Sequence, residues 1–359
     1  GAKAYQVAVN LQGDWQPSRM GILPAQVNDA LNGSIAWNGK VGIDLPYHAG
    51  PTYNVELKGD LKNVSSHLPS PLNKAAGEAL PVNVKANGNL RSFDLTGNAG
   101  SKNHFNSRWL LNQKLTLDRA IWASESRTVP ALPDQQGIEL NLPPMDGAQW
   151  LALFQKGAVD NVGSNANFPQ RITVRTPSLS LGGQQWNNLS IVSEPASNGS
   201  TVQAQGREIN ATLAMRNNAP WLANIKYLYY NPSAAKPSQN STPASPFSAI
   251  DNVSFRGWPD LQLRCAECWM WGQKYGRIDA DVAIKGDTLT LSNGLLDTGF
   301  ARLTTDGVWV NAPGKERTSL KGKLSGNKID SAAGFFGVST PIRNSSFNVE
   351  YDLHWRNPP

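Results

Sequence analysis

The sequence predicts a mainly β fold, built from antiparallel meanders with a few short helices, and three observations lead to this prediction. Apolar and polar residues alternate with a period of two along many short segments, which is typical of strands with one buried face. Turn-forming groups, such as Asn293-Gly294 and Gly286-Asp287, separate these segments. Charged residues make up only 17% of the chain, against roughly 25% in an average globular protein, and Gly and Pro are abundant instead.

The predicted strands follow one another along the whole chain. The first covers residues 5–11, and further segments with the same alternation cover residues 53–58, 82–85, 138–142 and 278–285. The clearest is Phe347–Trp355, in which every second residue is apolar. The connections are mostly too short to hold crossover helices, so we expect neighbouring strands to run antiparallel.

Helical patterns are few and short. Residues 146–158 and 327–336 each place several apolar residues on one face of a helix, and residues 24–31 and 72–80 do so more weakly. These segments are too short to form a bundle, so we expect them to plug or cap a sheet.

Residues 231–248 divide the chain into a larger and a smaller β segment. This stretch is poor in apolar residues and contains four prolines, a composition that predicts a flexible Pro/Ser-rich loop or linker. The flanking segments, 1–230 and 249–359, are both compatible with one continuous sheet. Strand patterns begin and end close to the two termini, so we expect the chain to be a piece of a longer protein.

Nothing in the sequence predicts catalysis, a cofactor or a metal. No nucleophile elbow, P-loop or dinucleotide-binding fingerprint is present, and the carboxylates are scattered over the polar faces of strands. The net charge of +6 is mild, and no run of Lys and Arg indicates a nucleic-acid surface. No stretch approaches the ~18 apolar residues of a membrane-spanning helix.

Cys265 and Cys268 form the sharpest local motif. A zinc site needs further ligands, and neither a second Cys pair nor a close His pair is present. A thioredoxin-like redox pair should open a helix, whereas this pair lies in a strand-and-turn pattern. The alternatives that remain are a structural disulfide that fixes a bulge or turn, favoured in an oxidising compartment, and two reduced thiols.

The apolar faces of the strands must be hidden from water, and few helices are available to cover them. A strand of about nine residues spans ~30 Å. Moving a two-tailed lipid through water exposes ~30 methylenes at ~0.8 kcal/mol each, about 25 kcal/mol in total. A long apolar trough that carries lipid therefore accounts for the pattern. A β-sandwich core predicts the same alternation, and the pattern alone does not separate the two.

Three segments carry a family resemblance. They are residues 53–74, residues 138–151 with the run Ile-Glu-Leu-Asn-Leu-Pro-Pro, and residues 320–355, where a strand, a short helix and a long strand ending in Trp355 follow in order. These segments resemble the AsmA-like proteins of Gram-negative envelopes, and most closely the large member of that family.

The resemblance implies an elongated, twisted sheet curled into a U-shaped hydrophobic groove, with residues 249–359 continuing the groove of residues 1–230. It also implies a parent protein anchored in the inner membrane by a helix that precedes this chain, reaching across the periplasm to the outer membrane or to an envelope protein. Phospholipid acyl chains would be the cargo, as in bridge-like lipid transfer proteins, and the family contributes no catalytic residues and no cofactor.

The inward residues of the strands are therefore the predicted site. The candidates for lining the groove are Val282, Ile284, Leu289, Leu291, Phe347, Val349, Tyr351 and Leu353. The alternative from another functional class is a carbohydrate-binding or adhesin-like β-sandwich that uses some of the twelve tryptophans as binding platforms.

Overall fold

The computed structural model describes residues 4–21, 23, 25–155, 166–232, 255–335, 339–343 and 345–356. Residues 233–248 of the predicted linker lie outside the described residues. Within the described ranges, no helix is both long enough and apolar enough to cross a membrane.

The chain forms two compact units. Unit 1 comprises Gly1–Leu181 and Gln185–Glu194, and unit 2 comprises Gly182–Gln184 and Pro195–Pro359. Both units are mainly β, which confirms the predicted fold class. The boundary between them lies at residues 182–195, whereas the predicted linker falls within unit 2.

The strands of unit 1 form a mixed sheet and a small two-stranded one. In chain order they are β1 (Ala4–Trp15), β2 (Leu31–Asn32), β3 (Ile35–Pro46), β4 (Thr52–Asp60), β5 (Ser65–Ser66), β6 (Pro81–Asn89), β7 (Ser92–Ala99), β8 (Asn103–Leu111), β9 (Leu115–Ala123), β10 (Gly137–Asn141), β11 (Met145–Asp146), β12 (Ala166–Asn167) and β13 (Ile172–Leu181), followed by β14 (Gln184–Ala196), whose greater part belongs to unit 1.

Strands β1, β3, β4, β6, β7, β8 and β9 pair antiparallel in that order, as expected from their short connections. The next pairings are parallel. Strand β10 lies between β9 and β13 and runs parallel to both. The antiparallel expectation does not hold here, because residues 124–136 and 142–171 are long enough to return the chain to the same end of the sheet.

Unit 2 repeats this organisation with β15 (Gly199–Gln205), β16 (Ile209–Arg216), β17 (Trp221–Tyr230), β18 (Leu261–Met270), β19 (Gln273–Lys285), β20 (Thr288–Asp297), β21 (Ala301–Val310), β22 (Arg317–Gly326) and β23 (Phe347–Trp355). Successive strands pair antiparallel, except that β17 and β18, joined by residues 231–260, are parallel. The turn predicted at Asn293-Gly294 is wrong, because both residues lie inside β20 at a shift of register with β21.

The described helices are short. They are α1 (Ala25–Asp29), α2 (Gly147–Gln155) and α3 (Ile329–Phe335), with 3-10 turns at Pro17–Arg19 and Leu61–Asn63. The helix predicted over residues 72–80 is wrong. Lys74 forms a β-bridge with Ser66, and Gly77 has a φ of 96°, which right-handed helices do not contain.

The sheet of unit 1 has two unlike margins. At the margin that we call the turn margin, strand ends are joined by the short turns 47–51, 90–91 and 112–114. At the opposite margin, the capped margin, residues 25–34, 61–80 and 147–155 gather into a cap. Val64 and Leu68 are buried in the cap, β2 pairs with β5, and the Trp150 indole N–H donates to the carbonyl of Ser70 at 2.9 Å.

Candidate functional site

One face of the sheet of unit 1 is apolar across its successive strands. Residues directly opposed on paired strands lie on the same face, so the register defines rows that cross the strands. The central row consists of Val9, Val41, Val55, Ala86 and Leu95. A neighbouring row consists of Leu11, Gly39, Leu57, Val84, Gly97 and Phe105. These rows form a continuous apolar surface.

The other face of the same strands is polar. Its central row, one residue away, consists of Asn10, Lys40, Glu56, Lys85, Thr96 and Asn106. Arg108 pairs with Asp94 across two strands, with Nε 2.8 Å from Oδ1, and this ion pair raises the pKa of Arg108 through its hydrogen bond and its charge. The sheet therefore has one polar face and one apolar face.

Large side chains on the apolar face lie across glycines of the neighbouring strand. A methyl group added at Gly13 would lie 2.9 Å from the ring of Trp37, and one added at Gly97 would lie 2.9 Å from the tip of Phe105. Phe105 in turn stacks on Trp122, with ring centroids 6.0 Å apart. Aromatic rings thus fill the space above the glycines, and the apolar surface continues across these positions.

This apolar face is open in several places. Tyr5, Val7, Val9 and Leu11 lie on the apolar side of β1, yet all four side chains are exposed. In a β-sandwich, such residues would be covered by a second sheet. The exposure of this face does not favour the sandwich interpretation and agrees with an open groove.

Unit 2 places all eight predicted lining residues on one apolar face. One row contains Val282, Leu291, Gly307, Leu320 and Leu353, and the next contains Ile284, Leu289, Trp309, Thr318 and Trp355. Val349 continues a row through Leu324 and Leu303 to Leu296. Phe347 and Tyr351 face the same way because they alternate with polar residues along β23.

The side chains of β23 differ in how they meet this face. Val349 and Leu353 are 48% and 50% exposed, so they present free apolar surface. Tyr351 instead crosses Gly322, and its hydroxyl donates to the carbonyl of Thr304 at 3.2 Å. On the opposite, polar face of β23, Glu350 pairs with Lys323 at 3.2 Å.

The two cysteines are joined by a disulfide, which confirms the disulfide over two reduced thiols. Their Cα atoms are 6.1 Å apart, and the two residues are 1% and 4% exposed. The register between β18 and β19 shifts between Cys265 and Cys268, so the disulfide closes a β-bulge. Cys265 lies opposite Ile225 and Ile278, which places the disulfide among the apolar residues of unit 2.

Replacement of both cysteines by serine should destabilise unit 2 by about 2 kcal/mol, because a short cross-link that restricts the unfolded chain is lost. Chemical denaturation under oxidising conditions measures this change. Reduction of the wild-type protein should give a similar loss, and the double variant should not respond to reductant. Equal stability of the oxidised and reduced proteins would contradict a structural role.

The sequence analysis named lining residues only in unit 2. It named none on the apolar face of unit 1, although the alternation at residues 53–58 and 82–85 indicates that face. No group of three or more His, Cys, Asp or Glu side chains in the described part of the chain could hold a metal.

Comparisons with known proteins agree with this arrangement. A family model described as YhdP protein matches residues 1–359, the whole chain. The Intermembrane phospholipid transporter YhdP of Escherichia coli (strain K12) is 74% identical over 359 residues, which are 100% of this chain and 28% of that protein. The chain thus spans little more than a quarter of the length of this relative. No solved structure matches the chain.

Proposed function

Because the chain belongs to the YhdP protein family, we propose that it forms part of a bridge that carries phospholipid between the inner and outer membranes. The family resemblance predicted from residues 53–74, 138–151 and 320–355 is confirmed by the match along the whole chain. The relative from Escherichia coli is named as an intermembrane phospholipid transporter, and its name supports the cargo that we propose.

The observation that carries the proposal is the open apolar face. Rows of apolar residues cross successive strands in each unit, and neighbouring strands lie ~4.8 Å apart. A lipid whose tails lie on such rows can pass from strand to strand without leaving an apolar environment. Contact with these rows then lowers the ~25 kcal/mol cost of exposing two acyl tails at every step.

The proposed function also implies a cellular location and a non-enzymatic role. We infer a periplasmic location for this chain within a parent anchored in the inner membrane, with the outer membrane or an envelope protein at the other end of the bridge. Acyl chains bind by apolar contact, so the role is non-enzymatic and needs no cofactor or nucleic acid. The disulfide between Cys265 and Cys268 supports this location, because disulfides persist in oxidising compartments such as the periplasm.

Val349→Asp should remove most of the phospholipid that co-purifies with the chain and leave it folded. The substitution places a carboxylate on the apolar face, where an acyl chain would have to desolvate it. Because Val349 is about half exposed, the carboxylate keeps access to water when no lipid is bound. Mass spectrometry of extracted lipid and thermal unfolding provide the two readings.

Asn348→Asp is the matched control, since Asn348 lies on the polar face of the same strand. It should change neither lipid content nor melting temperature. Unfolding by Val349→Asp would instead show that the face is closed in solution. Unchanged lipid content in a folded Val349→Asp variant would rule out this face as the binding site.

A further inference from the structure

We propose that phospholipids in unit 1 lie with their head groups at the turn margin and with the ends of their tails toward the capped margin. This inference rests on the proposed function and adds the orientation of the cargo. A strand of nine residues spans ~30 Å, while one lipid tail covers about half of a ~30 Å hydrocarbon core. A lipid therefore cannot reach both margins, and its head group lies either at the turn margin or at the capped margin.

The first observation is the exposure of apolar side chains at the turn margin. The three most exposed large apolar side chains in the described part of the chain are Leu90 at 70%, Tyr5 at 66% and Tyr47 at 63%, and all three lie there. Tyr5 and Tyr47 contact each other, with ring centroids 5.9 Å apart. Amphipathic rings and aliphatic tips at a boundary between apolar and aqueous surroundings are typical of the head-group level of lipids.

The second observation is the charge of the turns. The turns at residues 47–51, 90–91 and 112–114 contain Arg91 and Lys114 and no carboxylate. Both cations are exposed. Long basic side chains can pack their stems on apolar surface and hold their charge at the phosphate level.

The capped margin lacks this excess of positive charge. Within the cap, Asp29 and Glu78 balance Lys62 and Lys74, and the adjoining strand ends add Asp60 and Asp146. Ile35, at the end of β3, is buried there together with Val64 and Leu68. The cap thus offers apolar cover for tail ends and no excess of cations for the phosphate of a head group.

The test is photo-cross-linking of bound phospholipid in the full chain. A photoreactive phenylalanine analogue replaces Tyr47 or Leu90 at the turn margin, and Leu72, which is exposed in the cap, is the control position. Digestion of the adduct with phospholipase C shows whether the cross-link is to the phosphoryl head group or to the diacylglycerol part. We expect head-group adducts at positions 47 and 90, and acyl adducts or none at position 72.

A charge exchange provides a second reading. Arg91→Glu combined with Lys114→Glu should lower the retention of anionic phosphatidylglycerol at least about tenfold at low salt. Lys62→Glu combined with Arg127→Glu makes the same change in charge at exposed positions near the capped margin and should leave retention within about twofold. Equal effects of the two pairs, or head-group adducts at position 72, would overturn the proposed orientation.

The outcomes also separate this inference from the function on which it rests. Absence of phospholipid from the wild-type chain would refute the transport proposal itself. Bound phospholipid that cross-links through its acyl chains at positions 47 and 90 would leave transport standing and refute the orientation.

Discussion

Phe255→Ala should lower the free energy of unfolding of unit 2 by about 3–5 kcal/mol, the usual cost of removing a fully buried aromatic side chain. Phe255 is 2% exposed, and its ring packs edge-on against Trp309 with centroids 5.2 Å apart. Trp309 belongs to the apolar row of Ile284 and Leu289. Phe255 therefore covers one end of the apolar face, and its loss leaves a cavity beside Trp309. Denaturant unfolding followed by tryptophan fluorescence measures the change.

Trp258→Ala is the control for this prediction. Trp258 lies three residues further along the same segment and is 55% exposed, so its removal should cost less than about 1 kcal/mol. A similar loss in both variants would mean that the segment is destabilised as a whole and that the contact with Trp309 is not the cause.

Gly322→Ala should destabilise unit 2 by about 2–3 kcal/mol through overpacking. A Cβ at this position would collide with the carbonyl oxygen of Thr304 and would lie 2.7 Å from the hydroxyl of Tyr351. Either β22 moves away from β21, or Tyr351 gives up its hydrogen bond to Thr304. Thermal unfolding shows the loss, and the near-ultraviolet circular dichroism of Tyr351 should change with it.

Gly334→Ala is the matched substitution for Gly322→Ala. Gly334 lies in α3, and no atom lies within 4 Å of its added methyl group. Alanine is favoured over glycine in a helix by about 1 kcal/mol, so this variant should be as stable as the wild type or more stable. A stable Gly322→Ala variant would show that Tyr351 does not lie across the glycine in solution.

The strand register was predictable where one face of a strand is clearly apolar. Val282 and Ile284 are separated by one residue, as are Leu289 and Leu291, and a period of two places each pair on one face. The register of the folded sheet then brings Val282 opposite Leu291 and Ile284 opposite Leu289. Local alternation was therefore sufficient to place these four residues on one face of unit 2.

The parallel pairings could not be predicted in the same way. Strand β10 pairs with β9 and β13, but its pattern of alternation is the same for either direction of its neighbours. Direction depends on the path of residues 124–136 and 142–171, which no local pattern encodes. The helical segments at residues 24–31 and 146–158 were expected to plug or cap a sheet, but their association into one cap was not predictable, because the contact between Trp150 and Ser70 joins residues far apart in sequence.

Under the proposed function, the rows of the apolar face have a consequence for the speed at which lipid moves. A methylene that moves from Val41 to Val55 and then to Ala86 exchanges one weak dispersion contact for another of similar strength. No side chain in this row donates a hydrogen bond that would hold the lipid at one position. The free energy of an acyl tail is therefore nearly constant along the row. For the acyl tails, such a surface has no deep minimum. Apart from the proposed head-group contacts at the turn margin, the movement of lipid that we propose would then be limited by friction and by the supply of lipid at the ends.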